Sequence, residues 1–278
     1  MMLVPLSPLS IVCFFTFIIH MSESLAYGMR LAGVRTRQIA IAMAFVTSTL
    51  LVSRLSNLFQ APLLGAMVDF SILTGQADAI QLLEFQFRTI IICAALGAFS
   101  GSILTPTMVR LYAVAIKRFM IVGSIPKVVG YALKPTSIKK IIATIRLPRL
   151  NMLSNISLAA VPKQFLIINF VVTSIYCIGV LCALLAGANQ PEFRSTAIQL
   201  SGIVNGMATI LFTIFVDPPG ARLTDQAVNG KRAISDVKSV VFFLQLGKIM
   251  GTLILSQLLL APLTQYIIVI TKWLTTHF

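Results

Sequence analysis

The sequence predicts an all-α membrane protein, a polytopic bundle of about six transmembrane helices, and three observations support this fold class. First, 57% of the 278 residues are hydrophobic, and the mean hydropathy is +0.93. Second, only 11% are charged, whereas about a quarter of the residues of a soluble domain are charged. Third, six segments reach the length of about 20 mainly apolar residues that a spanning helix needs. This composition excludes a soluble enzyme, a disordered tail protein and a disulfide scaffold.

The six predicted spans belong to one integral membrane domain that covers residues 1–278. They are expected at about residues 9–29, 39–62, 88–112, 165–187, 197–216 and 239–271. The first span is not expected to be a cleaved signal peptide, because no basic region precedes its apolar core. The last span contains Pro262, which predicts a bend or a tilt at that position.

Small and polar residues inside the spans predict contacts between helices. Gly97-xxx-Gly101 and Gly202-xxx-Gly206 are patterns that allow two helices to approach closely. The polar residues of spans four and five are interpreted as donors and acceptors of hydrogen bonds between helices, with contact to a ligand as the alternative. They are Asn169, Thr173, Tyr176, Ser201 and Asn205. Asp217, followed by two prolines, is expected to end the fifth span, with a gate or ligand role as the alternative.

The distribution of positive charge predicts the orientation of the spans. The chain has 22 Lys and Arg residues against 8 Asp and Glu residues, a net charge of +14. In a soluble protein this excess would suggest a nucleic-acid partner, but in a membrane protein basic residues collect in the connections that stay in the cytoplasm. The first, third and fifth connections are basic, and the second and fourth are poor in basic residues. We therefore expect these three connections in the cytoplasm, both termini outside, and no nucleic-acid partner.

The third connection, residues 113–164, carries many basic residues and no acidic one. The basic residues are Lys117, Arg118, Lys127, Lys134, Lys139, Lys140, Arg146, Arg149 and Lys163. From about Thr136 to Pro148, isoleucines recur with helical spacing, which predicts a cytoplasmic amphipathic helical segment between the third and fourth spans, lying in the membrane interface. These isoleucines are Ile138, Ile141, Ile142 and Ile145. The charge either fixes the topology alone, or it attracts anionic phospholipids or a phosphorylated lipid substrate.

A polar face crosses the second predicted span. Thr47, Arg54 and Asn57 share one side of the helix, and Gln60 extends that side toward the outer end. Arg54 lies about 22 Å from the cytoplasmic end of the span, at about 1.5 Å per residue, and hence in the outer half. It either snorkels outward or pairs with Asp69, or it binds a phosphate or carboxylate in a central cavity, for which its planar guanidinium is well suited.

Spans one and six carry polar stripes. The stripe of span six is Gln245, Lys248, Thr252 and Ser256, and that of span one is His20, Glu23, Tyr27 and Arg30. Lys248 and Glu23 lie about 14 Å and about 9 Å from the cytoplasmic ends of their spans, and hence at similar depth. We predict that they pair when the cavity is empty or closed. The alternative is an ion pair with a structural role only.

The sequence has no recognisable catalytic or metal-binding motif. It has no Walker A motif, no HExxH signature and no Ser/His/Asp arrangement. We therefore predict a protein that is not an enzyme, with no cofactor, no catalytic residues and no metal ligands. One alternative is a membrane-integral enzyme acting on a lipid phosphate, whose Mg²⁺ would need Asp217, Asp225 and Asp236, although these acids lack motif spacing. Another is a structural subunit of a cell-envelope complex.

Two sequence blocks resemble a known family. Residues 30–40, RLAGVRTRQIA, and residues 53–65, SRLSNLFQAPLLG, are similar to the Amj-type lipid II flippases, bacterial proteins that substitute for MurJ in peptidoglycan synthesis. The resemblance implies a multi-pass protein of the bacterial inner membrane that moves lipid II (undecaprenyl-pyrophosphoryl-disaccharide-pentapeptide) from the cytoplasmic to the outer leaflet by alternating access. Another polyprenyl-phosphate lipid is an alternative substrate. The cell-wall synthesis machinery is the partner that such a role implies.

The residues and the resemblance together give a set of candidate substrate-binding residues. The set is Arg54, Asn57, Gln60, Lys248, Gln245, Glu23 and Arg30. On this hypothesis the pyrophosphate passes the basic third connection and is neutralised by Lys248 and then by Arg54, because an unpaired pyrophosphate in hydrocarbon is prohibitively unfavourable. The polyprenyl tail stays in the lipid between spans.

Overall fold

The computed structural model describes residues 7–75, 78–146, 148 and 156–277. Within these ranges the protein has ten α-helices and no β-strand. The helices are α1 (Pro8–Thr36), α2 (Ile39–Thr74), α3 (Ala79–Val122), α4 (Ile125–Ala132), α5 (Pro135–Ala143), α6 (Lys163–Asn189), α7 (Arg194–Phe215), α8 (Asp217–Val228), α9 (Ile234–Met250) and α10 (Ser256–His277). Six stretches are long and apolar enough to cross a membrane: α1, α2, α3, α6, Pro191–Val228 and Ile234–His277. The predicted all-α bundle with six transmembrane helices is confirmed.

The long helices extend beyond the predicted spans, because hydropathy marks the membrane core and not the end of a helix. α2 is followed by Gly75, with a φ of 58°, and α3 is followed by Gly123, with a φ of 68°. Glycine readily adopts this left-handed conformation at the C-terminus of a helix. α3 has 44 residues and is therefore about 66 Å long, roughly twice the thickness of a hydrocarbon core.

α1 packs against α2, α3 and α9 and so lies at the centre of these contacts between helices. Its contact with α3 is close, because a Cβ atom on Gly101 of α3 would lie 2.6 Å from the carbonyl oxygen of Met21. The close approach predicted at Gly97-xxx-Gly101 is confirmed. The one predicted at Gly202-xxx-Gly206 is wrong, because a Cβ atom on either glycine would have no described neighbour within 4 Å. These glycines lie on a side of α7 that does not pack against α6.

The last spanning stretch changes its hydrogen-bond pattern between α9 and α10. Residues Gly251–Leu255 form a π-helical turn. The hydroxyl of Ser256 donates to the carbonyl oxygen of Gly251 at 3.2 Å and to that of Ser174 in α6 at 3.0 Å. Single π turns are frequent at functional sites. α10 continues through Pro262, so this irregularity precedes the proline, where the bend stays a prediction.

The predicted third connection is partly helical. α3 occupies its beginning as far as Val122, because no glycine or proline occurs between residue 113 and Gly123. α4 and α5 follow. α5 overlaps the predicted amphipathic helix, but it begins at Pro135 and ends at Ala143, before Ile145.

The isoleucines of α5 face outward. Ile138 and Ile142 are exposed, and α5 has no buried residue. A helix that lies on a membrane would present its apolar side chains in this way. Its position at the cytoplasmic interface stays a prediction, and Arg149 lies outside the described residues.

Candidate substrate site

Two cavities lie between the spanning helices. The larger, of about 450 Å³, is lined by residues of α1, α2, α6 and α7, with Lys248 from α9 and Asp217 from α8. The smaller, of about 150 Å³, is lined by residues of α1, α2, α3 and α6 and by Asn205 of α7. Most of the acidic, basic and histidine side chains that line the two cavities belong to the larger one. These are His20, Glu23, Arg30, Arg54, Asp217 and Lys248.

The two cavities are stacked along the bundle. On α1 the larger cavity is lined by residues between 20 and 30, and the smaller by residues between 16 and 23. On α2 the corresponding ranges are 43–54 and 53–64. Four residues line both cavities, and we call them the central layer: His20, Glu23, Arg54 and Tyr176. The larger cavity therefore lies toward the end of the bundle that the charge distribution assigns to the cytoplasm, and the smaller lies toward the opposite end.

Glu23 and Lys248 form the ion pair that their similar depth predicts. The ammonium of Lys248 donates to Oε2 of Glu23 at 2.5 Å, and the hydroxyl of Ser53 donates to Oε1 of the same carboxylate at 3.1 Å. The side chain of Lys248 is only 5% exposed. The predicted pairing is confirmed. The polar stripe that carries Lys248 is also buried, since Thr252 and Ser256 are fully enclosed.

His20 stands beside this pair. Its Nδ1 lies 3.8 Å from Oε2 of Glu23, and this buried nitrogen has no hydrogen-bond partner among the residues that the structure describes. His20 belongs to the polar stripe of span one, but it is not among the candidate residues that the sequence predicts for the site. The signal that could have selected it was its spacing of three residues from Glu23, which puts both on one helix face.

Arg54 lines both cavities and has no ion pair or hydrogen bond with any described residue. The alternative that it pairs with Asp69 is wrong, because Asp69 pairs with Arg194 at the start of α7. Asp69 lies 15 residues beyond Arg54 on α2, about 22 Å along the helix axis, so the two side chains are too far apart to pair. Arg54 is exposed, so the alternative that it snorkels outward stays a prediction beside the cavity role. Its guanidinium is a cation at the cavities without a counterion in the described part of the chain.

The amides predicted beside Arg54 line the smaller cavity. Asn57 and Gln60 both contribute to it, and Gln60 accepts a hydrogen bond of 3.1 Å from Thr16. Asn205 was interpreted as a contact between helices, but it lines this cavity too, and its buried Oδ1 has no partner in the described part of the chain. Tyr176, with the same interpretation, belongs to the central layer. That Asn205 and Tyr176 line a cavity could not be predicted from the sequence of one span, because it depends on which helices pack together.

Arg30 lies at the far end of the larger cavity. Its guanidinium donates to Oδ1 of Asp217 at 3.1 Å. Asp217 follows the end of α7 at Phe215 and begins α8, so the predicted end of the fifth span coincides with the start of a new helix. A Cβ atom on Gly220 would lie 2.6 Å from Nη1 of Arg30, so the absence of a side chain there makes room for the ion pair.

Gln245 lies away from both cavities. Its side-chain amide donates to the carbonyl oxygen of Ser24 at 2.9 Å and to the hydroxyl of Thr105 at 2.7 Å. These bonds join α9 to α1 and α3. The structure therefore brings six of the seven candidate residues to the cavities and places Gln245 in a contact between helices.

The acidic residues that an enzyme would need do not form a metal site in the described ranges. No group of three or more His, Cys, Asp or Glu side chains there could hold a metal ion. Asp217 pairs with Arg30, and Asp236 lies 3.9 Å from Arg232. Two of the three acids are therefore already engaged with cations.

Comparison with known proteins covers almost the whole chain. The family model described as "Amj: Alternate to MurJ" matches residues 15–271, which include both cavities. The chain is 36% identical over 260 residues to the lipid II flippase Amj of Bacillus subtilis (strain 168), and this alignment covers 93% of the chain and 95% of the relative. No solved structure matches. The resemblance of residues 30–65 is thereby confirmed, and the chain belongs to the Amj (Alternate to MurJ) family.

Proposed function

We propose that the protein is a transporter that moves lipid II from the cytoplasmic to the outer leaflet of the bacterial cell membrane. Its family and the name of its Bacillus subtilis relative support this substrate. The observation that carries the proposal is the unpaired guanidinium of Arg54 at the junction of two stacked cavities. A cation left without a counterion between membrane-spanning helices is costly unless it meets water or an anionic ligand.

The larger cavity receives the pyrophosphate. Arg54 can donate two parallel hydrogen bonds to a phosphate, and Lys248 can exchange the carboxylate of Glu23 for a second phosphate oxygen. Arg30 lies at the proposed cytoplasmic entrance, where the carboxylate of Asp217 offsets its charge. The amides of the smaller cavity then offer hydrogen-bond partners to the sugar as the headgroup moves outward.

The headgroup requires the cavity to widen. A volume of about 450 Å³ is at the lower end of the range for drug-sized ligands, and a disaccharide-pentapeptide is larger than such a ligand. The paired state of Glu23 and Lys248 thus belongs to the empty protein. Opening first toward the cytoplasm and then outward, on either side of the central layer, completes an alternating-access cycle.

The polyprenyl tail leaves the larger cavity between α2 and α7. Both helices line this cavity, α2 with Met43 and Leu50 and α7 with Ala208 and Phe212. Their outer faces are apolar and exposed, with large side chains on both helices. These include Leu51, Leu55 and Leu58 on α2 and Ile203, Met207 and Ile210 on α7. A tail between these faces stays in lipid while the pyrophosphate stays with the cations.

We also propose an orientation and accompanying partners. The first, third and fifth connections face the cytoplasm and both termini face outward, as the positive charge indicates. The basic third connection attracts anionic phospholipids and so concentrates anionic lipid substrates at the entrance. The cell-wall synthesis machinery, which consumes lipid II at the outer surface, is the expected partner.

The test is complementation of cells depleted of their own lipid II flippase. The wild-type protein is expected to restore externalisation of lipid II. Arg54→Ala should slow it by about tenfold or more at an unchanged protein level, because a hydrogen bond to a charged group contributes about 1.5–3 kcal/mol. Arg222→Ala, which removes an exposed arginine of α8 outside both cavities, is the matched control and should transport normally. Normal transport by Arg54→Ala would contradict the proposal.

A further inference from the structure

Glu23 and His20 are side chains that can gain a proton and that line both cavities. A group in this position is reachable from the cytoplasmic side when one cavity opens and from the outer side when the other opens. Glu23 is also the carboxylate that holds Lys248. An anion that pairs with Lys248 therefore removes the cation that neutralises the carboxylate of Glu23.

The charges around Glu23 do not balance once a substrate binds. In the empty site, Lys248 and Arg54 face one carboxylate, that of Glu23. A pyrophosphate esterified at both ends adds one negative charge on each phosphorus, which the two cations match. The carboxylate of Glu23 is then an excess negative charge in a site where an unpaired ion is costly.

We propose that Glu23 takes up one proton from water each time a pyrophosphate diester binds Lys248 and Arg54, so that the loaded site is neutral. The inference rests on the proposed function. The ammonium of Lys248 moves from the carboxylate to a phosphate oxygen, and an O–H bond forms on Glu23. When the substrate leaves, Lys248 returns to Glu23 and the proton leaves to water. If the proton enters from the cytoplasmic side and leaves on the outer side, one positive charge crosses the membrane together with the two negative charges of the pyrophosphate.

His20 provides a partner for the new O–H group. A buried acceptor without a donor is unfavourable, and Nδ1 of His20 is unpartnered within the described residues at 3.8 Å from Oε2 of Glu23. Two acceptors cannot bond to each other, which accounts for this separation when Glu23 is ionised and Nδ1 carries no proton. Protonation of Glu23 supplies the missing donor, and a shift of less than 1 Å closes the bond.

Other groups line the cavities with Glu23. The titratable or charged ones are, by helix, His20, Tyr27 and Arg30 of α1, Arg54 of α2, Tyr176 and Cys177 of α6, Asp217 of α8 and Lys248 of α9. α3 contributes only apolar residues, and α7 contributes no titratable group. Asp217 is the other carboxylate among them, and it keeps Arg30 as its partner. Glu23 is thus the carboxylate whose cation the substrate removes.

The experiment measures proton uptake on binding to the purified full-length protein. The probe is farnesyl-pyrophosphoryl-N-acetylglucosamine, a pyrophosphate diester that does not itself titrate near neutral pH. Titration calorimetry in two buffers of different ionisation enthalpy gives the number of protons taken up. We expect about one proton per bound probe, and an affinity that falls by up to about tenfold per pH unit as the pH rises.

The variants separate this inference from the proposed function. Glu23→Gln should bind the probe without proton uptake and without the pH dependence. Glu192→Gln, which changes an exposed carboxylate outside both cavities, should behave as the wild type. Binding by the wild type without proton uptake would overturn the inference and leave the proposed function standing, whereas no binding at all would overturn both. If Glu23→Gln does not fold, the wild-type measurement in two buffers decides the question.

Discussion

Lys248 is a buried ammonium whose carboxylate partner is Glu23. Removing one member of such a pair is much more harmful than removing both, because the survivor is left as an uncompensated buried charge. The pair therefore constrains the protein even if its two members together add little net stability.

This asymmetry gives a prediction about stability. Lys248→Met should lower the free energy of unfolding by about 3–5 kcal/mol. The double variant Glu23→Gln/Lys248→Met should recover most of that loss, since neither remaining side chain carries a charge. Thermal unfolding of the detergent-purified variants measures the difference. Equal losses in the single and double variants would show that the charge left on Glu23 is not the cause.

The members of the site differ in how far the sequence could identify them. Glu23, Arg54 and Lys248 were identified because an ionisable residue inside an apolar span is unusual by itself. Tyr176 and Asn205 are ordinary residues of spanning helices, and only the packing of α6 and α7 against α1 and α2 brings them to the cavities. Gln245 fitted the polar stripe, but the helix it faces, α3, could not be known from the stripe.

At the scale of helices, the close contact between α1 and α3 positions Glu23 and His20. Both residues lie on α1, close to Met21, against which Gly101 of α3 packs. A side chain on α3 at this point would push α1 away and would move the central layer with it.

Two glycine substitutions test this contact. Gly101→Ala should destabilise the protein by about 1–3 kcal/mol, as overpacking typically does, because the added Cβ would lie 2.6 Å from the carbonyl oxygen of Met21 and 2.7 Å from Cβ of Ser24. Gly202→Ala should be neutral or stabilising by up to about 1 kcal/mol, because the space around it is open and alanine favours a helix. Thermal unfolding separates the two variants. A larger loss for Gly202→Ala would contradict this packing argument.

The sequence predicts which segments form spanning helices better than it predicts the residues at which those helices end. The apolar segments located all six spanning helices, since length and hydropathy decide membrane insertion. α2 and α3 nevertheless continue past the predicted spans through residues that are still mainly apolar. Each is followed by a glycine in the left-handed conformation, Gly75 and Gly123. The π turn at Gly251–Leu255 gave no signal in the sequence.

At the scale of the whole molecule, the proposed transport direction depends on which cavity faces the cytoplasm. Orientation was inferred from the basic connections alone. It can be tested in a variant without the four cysteines, which are Cys13, Cys93, Cys177 and Cys182.

Single new cysteines report which side of the membrane a residue faces. Ser7→Cys should react with a membrane-impermeant maleimide in intact cells, because the N-terminus is proposed to lie outside. Ser137→Cys, in the exposed helix α5, should react only after the membrane is permeabilised. Labelling of Ser137→Cys in intact cells would reverse the orientation, and the larger cavity would then face outward.

The contact of Arg30 with Asp217 has a consequence for how the molecule moves. Arg30 and Glu23 are seven residues apart on one uninterrupted helix, about 10 Å along its axis. α1 is therefore a continuous helix held by two ion pairs. Glu23 pairs with Lys248 in the middle of the bundle, and Arg30 pairs with Asp217 at the far end of the larger cavity. A rotation of α1 that breaks one ion pair therefore also strains the other. The proposed headgroup site and the proposed cytoplasmic entrance are thus expected to move together.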